Sequence, residues 1–356
     1  MTVDARFRDL FFSVAIAVGL GLCASASLLL FLGKNPLAAY ALLATSVVRD
    51  GYTFADIFVK ATPLILTGLA FAFTYKANLF NIGGQGQFYV GAVVATASSL
   101  LLGTRLPGIL SLPLVFVATI AIGGLWGSFV GFVKAKFRSN EFLVSMMSTY
   151  VALAAMNFLL RTSLMETKHE YPQTNPFAPG LWLPIFLKGT RLHAGFILAV
   201  LIALLMWLLL FRTPFGYRIR AVGHNSEAAR LAGIDSGRIS VATFFIAGAL
   251  AAVAGFTETN GVQHMLVQGF NPNIGAEGIG IAILANANPV GVIFASILIG
   301  ALKVGGTIMG QTSGIPASII EIMEGFVMIF VILSYFIRSG LDMRRAKKEL
   351  RRTPTG

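Results

Sequence analysis

The polar side chains that could handle a solute in this 356-residue sequence gather in two short glycine-rich stretches. The first, Asn81-Ile-Gly-Gly-Gln-Gly-Gln, offers Asn81, Gln85 and Gln87. The second, Asn273-Ile-Gly-Ala-Glu-Gly-Ile, offers Asn273 and Glu277 and is followed by Asn286 and Asn288. Glycines at such points break helices and expose backbone groups, and amides or a carboxyl beside them can line a water-filled pathway. The same residues also read as packing, because polar groups at membrane depth pair with one another when no cavity is there. Either way the chemistry is hydrogen bonding, to a solute in the first reading and within the chain in the second.

Signatures of covalent chemistry are missing. No G-x-x-x-x-G-K-[ST] occurs: Gly33-Lys34 is followed by Asn35 and lacks the upstream glycine, so the chain does not bind ATP through a P-loop. There is no H-E-x-x-H, and His169, His193, His224 and His264 are too scattered to suggest a metal site. Ser and Thr within the apolar runs have no evident base and are expected to back-bond to helix carbonyls. Neither catalytic nor metal-binding residues are expected.

The elements that hold these stretches are membrane-length apolar runs. The chain is 56% hydrophobic and 12% charged, with a mean hydropathy of +0.79, too little polar surface for a soluble globule of this size. A formal net charge of +12 would suggest nucleic acid in a soluble protein. Here the bases cluster between apolar runs without interleaved aromatics, so no nucleic-acid partner is expected. The single cysteine, Cys23, excludes a disulfide within the chain. The first apolar run is longer than a signal-peptide core and reads as a retained span.

About ten spans are expected, near 10–32, 55–75, 84–102, 111–133, 142–160, 194–211, 241–257, 276–288, 289–306 and 317–337. Segment 276–288 is short enough to be a broken or re-entrant helix, and 37–49 reads as an interfacial helix. Three basic clusters fall on one side when every segment crosses: Lys134, Lys136 and Arg138; Arg212, Arg218, Arg220, Arg230 and Arg238; and the tail from Arg338 to Arg352. That side should be cytoplasmic, with both termini on it. The two glycine-rich stretches share Asn-Ile-Gly and a further glycine three residues on. They follow spans of opposite direction, the pattern of an inverted internal repeat; the competing reading is coincidence between glycine-rich helices. Lys303 could pair with Glu321 or Glu324 and tie two helices together. The connection Arg161–His193, with Pro172, Pro176, Pro179 and Pro184, should be irregular.

Between spans lies a polar stretch, Arg212–Ser240. Within it Asn225 is a predicted N-cap, Glu227 sits in the first turn and Gly233 is a predicted stop, outlining a two-turn helix over Ser226–Ala232. So short a helix needs something to form against. It reads either as a docking element for a soluble partner or as an ordinary basic loop.

Three ordered motifs then carry a resemblance. They are Gly68-Leu-Ala-Phe-Ala-Phe-Thr-Tyr-Lys-Ala-Asn-Leu-Phe-Asn-Ile-Gly-Gly-Gln-Gly-Gln, Lys134-Ala-Lys-Phe with Asn140-Glu-Phe-Leu-Val-Ser-Met-Met, and Arg220-Ala-Val-Gly-His-Asn-Ser-Glu-Ala-Ala-Arg-Leu-Ala-Gly-Ile. From about residue 60 onward the chain resembles the permease subunits of ABC importers in the branched-chain amino acid and ribose permease superfamily, above all the nucleoside-type members. The resemblance implies an all-α polytopic permease subunit of a bacterial inner membrane, set among membrane lipid and without a cofactor of its own. It further implies a separate cytoplasmic ABC ATPase, a second homologous permease, and a substrate-binding lipoprotein or periplasmic protein. Glu227, Ala228, Ala229, Arg230 and Gly233 match the family's coupling helix, which seats on the ATPase. Gln85 departs from the acidic residue frequent before Gly-Gln in relatives, and Ala285-Asn-Ala-Asn-Pro from a Gly-Gly turn.

The implied substrate is a nucleoside, with ribose-like monosaccharides and branched-chain amino acids as alternatives and an ion-coupled secondary transporter as a more distant one. The expected organisation is a first span and interfacial segment over 1–54, a first repeat half over 55–211, the coupling loop 212–240, a second half over 241–337 and a basic tail 338–356.

Overall fold

The computed structural model describes residues 3–47, 49–316, 318–330 and 333. The basic tail 338–356 and most of 331–337 lie outside the described residues. Twelve α-helices are bounded as α1 Val3–Phe31, α2 Pro36–Ser46, α3 Gly51–Tyr75, α4 Gly84–Leu102, α5 Gly108–Phe137, α6 Glu141–Leu160, α7 Gly195–Arg212, α8 Pro214–His224, α9 Ser226–Leu231, α10 Ser236–Glu258, α11 Ile274–Leu284 and α12 Pro289–Ser313. Residues 318–330 are also helical. Among the described residues there is no strand beyond two isolated bridges, Gln173↔Val267 and Ile185↔His193.

Among the described residues, six helices are long and apolar enough to cross a membrane: α3, α5, α6, α7, α12 and α10 with its extension to Gln263. The chain is therefore an all-α polytopic membrane protein. α4 has 19 residues, whereas α11 has only 11, well short of the about 20 that a full crossing takes.

The chain divides into two compact units. One comprises residues 51–300, the other residues up to 50 and from 301 onward. In the larger unit α3 forms the centre: 89% of its most apolar stretch is buried, against 28% for α5, α6 and α7, which lie at the outside of the unit. α5 packs against α10 through Gly123, Gly127 and Gly131, spaced one per turn. A Cβ at Gly127 would land on the Phe244 carbonyl and beside Gly248. Lipid offers no hydrophobic driving force between helices, so close backbone approach through small residues is what draws them together. In the smaller unit, Leu29, Ala39, Met309, Ile315, Ile320 and Met323 form a buried cluster. Lys303 pairs there with Glu324 at 3.2 Å, so of the two carboxylates considered, Glu324 takes it. α2 starts at Pro36 behind Asn35, whose side chain accepts from the amides of Leu37 and Ala38, an eleven-residue helix where 37–49 predicts one.

The stretch 212–240 is more ordered than a loop holding one short helix. Thr213 caps α8, its Oγ1 accepting from the Gly216 amide at 3.1 Å, and Pro214 occupies the first turn where its missing N–H costs nothing. The Thr-Pro start is legible in the sequence, and the basic residues that follow mask it.

Candidate functional site

The two glycine-rich breaks meet. After α3, Asn78 adopts a left-handed backbone, φ +56°, and turns the chain toward the start of α4. Asn81 and Gln87 then pair side chain to side chain: Asn81 Nδ2 donates to Gln87 Oε1 at 2.9 Å, and Gln87 Nε2 donates to Asn81 Oδ1 at 3.3 Å. The Gly83 amide also donates to Asn81 Oδ1, at 3.1 Å. Both side chains are buried. The pair locks the break onto the first turn of α4.

Gln85 reaches across instead. Its Oε1 accepts from the Gly275 amide at 2.6 Å, and its Nε2 donates to the Asn271 carbonyl at 2.8 Å. Gly275 lies in the first turn of α11, where amides have no partner within the helix; a residue of α4 supplies one. A Cβ at Gly275 would land on the Gln85 backbone, so the helix starts abut directly. Thr67 Oγ1 of α3 donates to the Ile274 carbonyl at 3.3 Å, and Phe88 stacks on Phe270 with ring centroids 5.2 Å apart.

The remaining polar candidates divide. Asn273 occupies the N-cap position of α11 without a side-chain cap bond, and Glu277 follows one turn in. Asn286 and Asn288 lie at the opposite end of α11, about 15 Å away at 1.5 Å per residue. Asn286 has φ +51°, and Asn288 Oδ1 accepts from the Val290 amide at 3.0 Å at the start of α12. The junction therefore gathers Asn81, Gln85, Gln87, Asn273 and Glu277, and not Asn286 or Asn288.

A second group forms where α3 ends. Asn225 Oδ1 accepts from the amides of Glu227 and Ala228 at 3.0 and 3.1 Å, and Gly233 closes α9 with φ +81°. Ala229 alone is buried in α9; Glu227, Ala228, Arg230 and Leu231 are exposed, with Leu231 at 86%. Glu227 and Arg230 pair at 3.0 Å in the open. α8 lies against the end of α3, since a Cβ at Gly223 would strike the Lys76 carbonyl. Arg220 donates to the Leu210 carbonyl at the end of α7. Lys76 Nζ donates to the Asn286 carbonyl at 3.1 Å. Burial, and then the nearby Arg220 charge, hold the Lys76 ammonium below the usual lysine range. Contacts thus run without a gap from α9 through α8 and Lys76 to the end of α11. Sequence reasoning did not single out Lys76; its signal is a lone cation directly behind an apolar run.

At the other end of α4 the chain ties itself shut. Asn260, in the π-helical turn Thr259–Gln263, donates to Ser99 Oγ at 2.9 Å and to the Leu181 carbonyl at 3.0 Å. Buried His193 accepts from the Gly195 amide through Nδ1 at 3.1 Å. Desolvation, with the neighbouring His264 second, lowers its pKa to about 4. His264 stacks on Trp182 at 4.0 Å.

A family described as "Branched-chain amino acid transport system / permease component" matches residues 53–332. The chain belongs to this permease family. The guanosine ABC transporter permease protein NupP of Bacillus subtilis is 34% identical over 93% of this chain and 96% of its own. The glucose ABC transporter permease protein TsgB13 of Haloferax volcanii is 32% identical over 87% of this chain and 84% of its own. The nucleoside ABC transporter permease protein NupB of Lactococcus lactis is 28% identical over 94% and 93%. The solved structure titled "PsaBC from Streptococcus pneumoniae in complex with Fab" shares the fold, with a TM-score of 0.50 at 14% identity, covering 84% of this permease and 96% of that chain. A permease of this family is a transport component, not an enzyme, and membership implies an ATPase and a substrate-binding protein beside it.

Proposed function

We propose that this permease is the membrane subunit of an ABC importer that moves nucleosides across the bacterial inner membrane, driven by a separate cytoplasmic ATPase. Its likeness to a guanosine permease along nearly the whole chain carries the substrate class. The chain crosses ten times with both termini cytoplasmic, the short α11 crossing together with the break before it, as the basic clusters between the segments favour. α3–break–α4 and α10–break–α11 form two inverted repeats, a reading supported by two helix starts that abut at Gln85 and Gly275. A second homologous permease completes the pathway, and a substrate-binding lipoprotein delivers the nucleoside from outside.

Transport proceeds by alternating access. ATP binding and hydrolysis move α9, seated on the ATPase through Glu227, Ala228, Arg230 and the Gly233 turn. α8 and Lys76 pass that motion to the ends of α3 and α11, and the Gln85–Gly275 junction opens toward one face as it closes to the other. The glucose permease relative favours one second reading, a monosaccharide substrate. Uptake of labelled guanosine by cells carrying the complete system separates the two: unlabelled nucleosides compete and glucose does not. Competition by glucose alone would move the assignment to sugars.

A further inference from the structure

We propose that the groove between the Lys136 end of α5 and the Arg238 end of α10 binds an anionic phospholipid. The headgroup sits at the charged mouth and one acyl chain lies along the groove. It is a shallow groove open along one side, with room for about 780 Å³. One stripe of α5 (Ser128, Phe132, Lys136) and one of α10 (Arg238, Val241, Phe245) make its walls. The polarity is that of an amphiphile: apolar along the helices, charged only where both reach the same end.

The charge balance at the mouth selects the sign of the head. Lys136 Nζ lies 5.5 Å and 5.7 Å from the ring centroids of Phe132 and Phe137, so its ammonium is held at the mouth by aromatic faces. Arg238 pairs with Asp235 at 3.1 Å, but its side chain remains 89% exposed. Asp235 is already engaged by that pair and by the Arg238 amide, which donates to its Oδ1 at 3.0 Å. Two cations against one committed carboxylate leave a net positive mouth, and each basic group near the bilayer surface favours anionic lipid by about 1 kcal/mol. A second copy seated here about a two-fold axis would bring the same positive mouth against this one. A phosphate between the two cations meets no such repulsion. The inference needs the chain to lie in a membrane and is independent of what it transports.

The test is to delipidate the purified permease, equilibrate it with equal amounts of phosphatidylglycerol and phosphatidylcholine of identical chains, and count retained lipids by native mass spectrometry. Wild type should keep phosphatidylglycerol preferentially, and Lys136→Gln with Arg238→Gln should reduce that preference roughly tenfold or more. Phe245→Trp, which leaves both charges and fills the groove, should lower retention of both lipids; it reads the same site should the charge variant fail to fold. Equal retention of the two lipids by wild type, or unchanged retention in Phe245→Trp, would overturn the proposal. So would efficient crosslinking of Phe245→Cys to a second copy.

Discussion

Gln85 accepts across 190 residues of sequence and donates across 186, which an ionised carboxylate in its place could not do: one of its oxygens would face the Asn271 carbonyl. Gln85→Leu leaves the Gly275 amide and the Asn271 carbonyl without these bonds, at a cost of about 1–3 kcal/mol. The expected result is a lower melting temperature in detergent and a changed uptake rate, and wild-type values for both would contradict the junction's role. Asn81 and Gln87 bond to each other and so hold the break onto the first turn of α4. His193 makes a different prediction. Its pKa falls from 6.5 to about 4 on folding, so between those values the unfolded chain takes up a proton that the folded chain refuses. Stability should therefore decline as pH drops through 6.5 and level off below 4, by up to about 3 kcal/mol. Protonation would also turn Nδ1 from acceptor to donor against the Gly195 amide. His193→Asn keeps an acceptor near Nδ1 without titrating. Its thermal stability should vary less with pH than wild type, and an identical pH profile would contradict the assignment.

At the scale of elements, α9 was legible and its support was not. Asn225 and Gly233 mark its ends through local chemistry, a side-chain cap and a left-handed stop. The helix runs from Ser226 to Leu231 against a predicted Ser226–Ala232. α8 was hidden because Arg218, Arg220 and His224 look like loop residues until the end of α3 and Arg220's bond to α7 are seen. The exposed Glu227–Arg230 pair contributes little to folding. Glu227→Arg or Arg230→Glu should therefore melt like wild type while ATP hydrolysis continues without matching uptake. Normal uptake in both would remove α9 from the coupling path. Lys76→Met deletes the bond to Asn286 while keeping most of the side-chain volume. Uptake per ATP hydrolysed should drop several-fold, whereas a purely structural lysine would lower melting and leave that ratio unchanged.

For the whole molecule, membrane-length hydropathy showed where the long apolar helices are, and the glycine breaks showed where they are interrupted. Neither showed which interruptions meet. The distinction between Gln85 at the junction and Asn288 at a helix start depends on partners far apart in sequence, and composition treats the two amides alike. The proposed nucleoside permease draws on ATP only through a partner. Its most direct test is uptake of labelled guanosine into proteoliposomes holding the permease with its co-purified partners, with ATP placed on the ATPase side. The expected result is saturable uptake that needs ATP and the binding protein and survives collapse of ion gradients. Uptake by this chain alone, without ATP and abolished when the gradients collapse, would contradict it.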